Sequence, residues 1–464
     1  MNIKSPIINI DNENPFLNCK LSRQKNANII CKLIENHPSG FVLALNNKWG
    51  TGKTTFVQML QRQLELNAFA TIYFNAWEQD NETNPLNVFV GEFTELLGKG
   101  KEKKLDKLIK NASLIAKKTI PAILKGVSSK FVGDKAIEEV IDAFAKGATD
   151  VFKKDVDAYL ERKKAIGTFK NELTLFVNEL TPGKSLVIFI DELDRCRPDY
   201  SVQLLEQIKH IFTIQNIIFV LSIDKNQLSN AIKGYYGSDL IDTEDYLKRF
   251  IDFEYSLPEP EFKVYYRFLL GHYKIYDIVS QKGFHFPDET HNELDQMIEV
   301  LMYNHKGKIT LRQQEKFFTH LAISLSLLEP NRQTNIHFFT LLVFLKFFNS
   351  PFFIGLRDRT IFFESYPEHF LREFNHEVRN KYKRHLSILE FTLGIAYHKY
   401  TMSGNTDKLF THDEKSDKKK FVFNSKIGEI SESYRWEYFK NYYDKPINDL
   451  RQIFEIIEMA DVFD

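Results

Sequence analysis

Residues 41–45 are all apolar and run directly into Asn47-Lys48-Trp49-Gly50-Thr51-Gly52-Lys53-Thr54-Thr55, after which Phe56, Val57, Leu60 and Leu64 recur at helical spacing. The order reads strand, loop, helix. Small residues let successive backbone N–H groups of such a loop turn inward around a phosphate, and the following helix adds the partial positive charge of its N-terminus. In this reading Lys48, Trp49, Gly50, Thr51, Gly52, Lys53, Thr54 and Thr55 cradle a nucleotide, Lys53 reaching its β- and γ-phosphates and Thr54 a magnesium ion. One position departs from the usual pattern, since Asn47 stands where glycine is common. Asparagine tolerates positive φ better than most residues, which would let the turn survive.

A second stretch, Leu186-Val187-Ile188-Phe189-Ile190-Asp191-Glu192, supplies what a phosphate loop lacks. Five apolar residues ending in two acids describe a buried parallel strand that delivers carboxylates to its C-terminal edge, where open α/β sheets bind ligands. Asp191 would hold magnesium, and Glu192 would orient or deprotonate an attacking water. The plainer alternative is a strand meeting a polar turn whose acids cap a helix near Asp199. Ser222 and Asp224 end the next apolar run, where they either position water and sense the γ-phosphate or merely initiate a turn. Arg195 either neutralises transition-state charge or pairs with Asp194 or Asp199.

These motifs do not stand alone. Tyr73-Phe74-Asn75-Ala76-Trp77-Glu78, Ile190-Asp191-Glu192-Leu193-Asp194-Arg195-Cys196-Arg197-Pro198, Phe219-Val220-Leu221-Ser222-Ile223-Asp224 and Tyr246-Leu247-Lys248-Arg249-Phe250 follow the loop in order. With Lys48 to Thr55 they resemble the KAP family of P-loop NTPases, the group that includes the phage-exclusion protein PifA, over roughly residues 15 to 325. The family usually shows a second aspartate where Glu192 stands and glycine where Asn47 stands. The resemblance implies ATP and Mg2+ as ligands, with Glu192, Lys53, Arg195 and Asp224 in catalytic roles and Thr54 and Asp191 on the metal. Leu311-Arg312-Gln313-Gln314-Glu315-Lys316 is similar to the arginine motif of the helical lid behind such cores, so Arg312 would touch nucleotide unless it is a solvated helix residue. Glu78 is a further carboxylate near the site, and Trp49 and Trp77 either shield it or pack.

The expected fold is α/β: a P-loop core with a parallel sheet over residues 1–90 and 172–257, interrupted by a helical insertion over 91–171. A helical lid over 258–325 and a mostly helical region over 326–464 follow. If the strand at 70–77 neighbours the strand before the loop, its end approaches the phosphates. The helix over 227–233 is expected to stop at Gly234 and Gly237, and 404–420 is the one clearly polar stretch in the C-terminal half. Lysine plus arginine equals aspartate plus glutamate at 62 each, so no global field favours nucleic acid or an anionic membrane. Cys19, Cys31 and Cys196 lack metal-ligand spacing and fit a reducing cytoplasm. Residues 112–133 and 338–356 are the two stretches to weigh as membrane spans, and polar residues interrupt both, so neither offers about twenty clean apolar residues.

The functional expectation is a cytoplasmic, Mg-dependent ATP-binding and hydrolysing switch. Family resemblance implies bacterial antiphage defence or plasmid conflict, acting through an effector protein or by homo-oligomeric assembly, with no membrane span. A nucleotide-bound scaffold with little turnover is one alternative, and a nucleic-acid-associated ATPase is a second.

Overall fold

Period-two alternation sorts the central strands between two cores. In the strand Leu186–Asp191 (β3), Leu186, Ile188 and Ile190 enter one apolar cluster. Val187 and Phe189 enter another on the opposite face. The strands Val42–Asn46 (β1) and Ile217–Ile223 (β4) divide in the same way, so both faces of each are apolar up to Asn46 and Ser222 at their C-terminal ends. The computed structural model describes residues 8–82, 85–94, 163–209, 214–259, 262–282, 290–329, 335–402, 409–413, 418–421, 425–428, 430–440 and 450–460, with a few isolated positions between them.

Residues 8–258 form one compact unit and residues 259–464 belong to a second. The first carries a five-stranded parallel sheet in the order β2-β3-β4-β1-β5, with β2 at Ala70–Asn75 and β5 at Phe253–Tyr255. Helices α1 (Gln24–Asn36) and α2 (Lys53–Leu66) cover one face. The other is covered by α3 (Pro85–Gly91), α4 (residues 163–180), α5 (Pro198–Ile208) and α6 (Lys225–Tyr236). A short helix, α7 (Thr243–Leu247), leads into β5. This is the expected α/β core. Most of the expected insertion at 91–171, including 112–133, lies outside the described residues.

Two local expectations are corrected. β2 pairs with β3 and not with β1, so its end meets Asp191 rather than the loop. α6 runs through Gly234 and stops at Gly237, whose φ of 65° supplies the left-handed cap. Only Pro198 Cγ, at 3.9 Å, lies near a Cβ placed on Gly234, so helix geometry is tolerated there.

The second unit is mostly helical. Its long helices are α8 (Phe262–His272), α10 (Thr290–Asn304), α11 (Leu311–Leu327), α12 (Ile336–Phe348), α16 (Lys383–Thr401) and α18 (Leu450–Met459). Shorter helices complete it: α9 (Ile275–Gln281), α13 (Ser350–Arg357), α14 (Tyr366–Glu373), α15 (His376–Lys381) and α17 (Glu432–Tyr438). The apolar run at 338–356 is broken between α12 and α13 by Asn349, whose side chain accepts Phe352 N–H. Among the described residues no helix is long and apolar enough to cross a membrane. The polar stretch 404–420 contains most of an antiparallel strand pair, β6 (Phe410–Asp413) and β7 (Lys418–Phe421). Its end residues explain the order: Phe410 stacks on Trp436 at 5.2 Å, and Phe421 packs against the same ring at 5.0 Å.

Candidate functional site

Four strand ends meet at one edge of the sheet. Register aligns Asn75 with Asp191 and Asp191 with Ser222, while Asn46, one residue before the phosphate loop, pairs with Ile223. The loop therefore begins beside β4 and curls toward the acids on β3. Its turn is made by Gly50 and Gly52, with φ of 73° and 77°. Asn47 has no positive φ, which corrects the reason given for tolerating it. Its side chain instead grips the chain after β5, donating Nδ2 to Leu257 O at 3.0 Å and accepting Leu257 N–H at 2.8 Å. Replacement by the glycine common in such loops, Asn47→Gly, removes both bonds and adds backbone freedom to the unfolded chain. It is expected to cost about 2 kcal/mol, read as a lower urea midpoint. An unchanged midpoint would show that the two bonds contribute nothing net.

Lys53 opens α2 and is 8% exposed. Its Nζ donates to Asn47 O at 2.6 Å and to Lys48 O at 3.3 Å, so the ammonium is held inside the curl of the loop. Burial pulls its pKa below the usual lysine range, while Asp194, Asp224 and Asp191 pull in the opposite direction. Thr51 Oγ1 closes the loop on Lys48 O at 2.8 Å, and Thr54 and Thr55 follow in the first turn of α2.

Asp191 is 1% exposed. One oxygen accepts Glu192 N–H at 2.9 Å and the other accepts the Tyr73 hydroxyl at 3.0 Å. The next residue turns sharply: Glu192 adopts φ 60° and ψ 23°, a left-handed conformation uncommon for a side chain this size. The 3-10 turn Leu193–Arg195 follows, and its i to i+3 spacing brings Arg195 Nη1 to Glu192 Oε1 at 2.9 Å. Arg195 thus pairs with Glu192, not with Asp194 or Asp199, because the turn sends Asp194 toward the loop. Burial raises the Glu192 pKa, with Asp191 and Asp194 adding to it and Arg195 and Asn75 opposing. The Arg195 guanidinium also lies 5.9 Å from the Trp49 ring and 5.5 Å from the Trp77 ring.

The remaining expected residues fall in different places. Asp224 caps α6, its Oδ1 accepting Asn226 and Gln227 N–H at 3.2 and 3.4 Å, while its Oδ2 accepts Trp49 N–H at 3.3 Å. Ser222 is fully buried beside Asp191 in register, and its hydroxyl finds no partner among the described residues. Glu78 is exposed and accepts Asn75 Nδ2 at 2.8 Å. Arg312 lies in the other unit, exposed on the first turn of α11, behind a capping box made by Thr310 and Gln313.

Several residues that the sequence did not single out hold this arrangement. Arg23, 4% exposed at the start of α1, donates Nη2 to Thr51 O at 2.7 Å and Nη1 to Gly52 O at 3.1 Å. Arg197 binds Asp80 through its backbone N–H and two guanidinium donors, tying the turn after β3 to the segment after β2. Strand pairing of 70–75 with 186–191 would have exposed the Tyr73 and Asn75 roles; nothing in the sequence marks Arg23.

A glycine-turned loop with a buried lysine at a helix start, facing two acids on a parallel strand one removed, defines a P-loop NTPase core. Residues 23–328, well over half of the chain, match the family model described as the KAP family P-loop domain, and the chain belongs to the KAP family of P-loop NTPases. Among solved structures, the Aeropyrum pernix ORC2 protein in ADPNP-ADP complexes is similar at 13% identity, over 95% of each chain, with a TM-score of 0.33. Caenorhabditis elegans PCH-2 is similar at 12% identity, over 67% of this chain and 70% of that one, with a TM-score of 0.25. Scores this low carry no argument about function. No curated protein matches the chain.

Proposed function

We propose that this chain is a magnesium-dependent ATPase that works as a nucleotide-driven switch in antiphage defence or plasmid conflict, through a partner or by assembly. The single observation that carries the reading is convergence: Lys53 and the adjacent pair Asp191 and Glu192 come from distant parts of the sequence and meet at one edge of the sheet, Lys53 opening the helix after β1 and Asp191 ending β3, with β4 between the two strands. Lys53 Nζ would exchange its loop carbonyls for phosphate oxygens. The residues fit magnesium, because Asp191 and Thr54 offer hard oxygen donors and each Asp191 oxygen keeps lone pairs beyond its one hydrogen bond. Bound there, the ion would neutralise phosphate charge. Glu192, its carboxylate made more basic by burial, would take the proton of the attacking water. Arg195 needs only to leave Glu192 to offer its charge to the γ-phosphate.

One observation favours a second reading, a nucleotide-bound scaffold with little turnover. The Glu192–Arg195 ion pair opposes the rise in Glu192 pKa that burial causes, and it occupies one of the carboxylate oxygens. Purified protein with ATP and magnesium separates the two: phosphate release supports the switch, and saturable ATP binding without release supports the scaffold. The setting in conflict between bacteria and mobile elements rests on the family, and a defence assay with and without this gene tests it.

A further inference from the structure

Asp194 has no part in the chemistry proposed above, yet it is closely built into the phosphate loop. It is 6% exposed, its Oδ2 accepts the Trp49 ring N–H at 2.5 Å, and its charge acts on Lys53. The backbone N–H of Trp49 ends on a second carboxylate, Asp224 Oδ2, at 3.3 Å. Both nitrogen donors of one loop residue are therefore held by acids, one from the turn after β3 and one from the end of β4. The Arg195 guanidinium lies over the same ring.

A nucleotide polyphosphate brings several negative charges to this loop, and repulsion between like charges is strong where water is scarce. We infer that Asp194 is a latch: by holding the Trp49 indole it keeps the phosphate loop in an arrangement that an arriving polyphosphate has to loosen. Trp49 is the moving part, and Asp194 is a positioning residue. The inference rests on the reading of this edge as a nucleotide site. If the Trp49–Asp194 bond were a simple prop for the loop, removing it would weaken binding; a latch predicts the opposite sign.

The test uses the full chain, magnesium and the non-hydrolysable analogue adenylyl imidodiphosphate, followed by calorimetry and by tryptophan emission. Asp194→Asn keeps the side-chain volume but replaces the charged acceptor by a weaker neutral one, loosening the hold on the indole, and it should bind the analogue about tenfold more tightly than the parent. Trp49→Phe keeps an aromatic ring but loses its N–H donor. It should also bind more tightly, by a smaller factor, which keeps the idea testable if Asp194→Asn folds poorly. The parent emission should change on saturation, and that change should be absent from Trp49→Phe. Equal or weaker binding by both variants, or parent emission unmoved at saturation, overturns the latch while leaving the nucleotide site standing. A parent that binds no nucleotide at all overturns both.

Discussion

Glu192→Gln should abolish phosphate release, lowering turnover by about a thousandfold, while ATP still binds with near-parental affinity. Glutamine keeps the length of the side chain and can still meet Arg195 and Asn75, so the turn after β3 survives. What it cannot do is accept a proton. Burial, with help from Asp191 and Asp194, already raises the proton affinity of Glu192, a direction that suits a base. Steady-state phosphate release and equilibrium nucleotide binding, measured on the same preparation, give the answer. Turnover that survives the substitution would remove Glu192 from the base role, and the positive φ of that residue would then be explained by the turn alone.

The core was legible because it is written in local terms. β1, β3 and β4 are continuous apolar runs, and such runs can only be buried between two helical layers. The phosphate loop declared itself through Gly50, Gly52 and Lys53, and the acids of β3 through the polarity break at Asp191. Partner choice was less visible, because it depends on strand order. Nothing local says that β2 lies beside β3, so Tyr73 was not seen as the partner of Asp191, nor Asn75 as a neighbour of Glu192. Arg195 shows a similar limit: two nearby aspartates looked like its partners, but the left-handed turn at Glu192 reversed the geometry.

Asn47 and Arg23 show a different limit. Both act on backbone groups, and a backbone carbonyl has no signature in a sequence. Asn47 looked like a defect in a glycine pattern, and it is a clamp on Leu257 some 210 positions away. Arg23 belongs to no motif of the sequence, and its guanidinium binds two loop carbonyls. The strands between 404 and 420 were hidden for a related reason: the polar residues within them masked the aromatic packing of Phe410 and Phe421, which is tertiary.

Lys53→Ala should weaken ATP binding by about a hundredfold, since charge-assisted hydrogen bonds to phosphate are worth about 3 kcal/mol. The complication is that Lys53 is buried among Asp194, Asp224 and Asp191, so its removal leaves a cluster of acids without their cation. Breaking a buried charge arrangement from one side costs stability by about 3 kcal/mol or more, and a poorly folded variant would also lose binding. The double variant Lys53→Ala with Asp194→Asn separates these effects. Removing one acid relieves the uncompensated charge, so its urea midpoint should recover toward the parent, with a coupling energy visible in the mutant cycle. Its nucleotide affinity should remain well below that of the parent and of Asp194→Asn alone, because Lys48, the other lysine of the loop, is exposed, whereas Lys53 is buried against the loop carbonyls. Recovery of binding together with stability would mean that Lys53 serves the fold and not the phosphates, and the nucleotide site would lose its principal ligand.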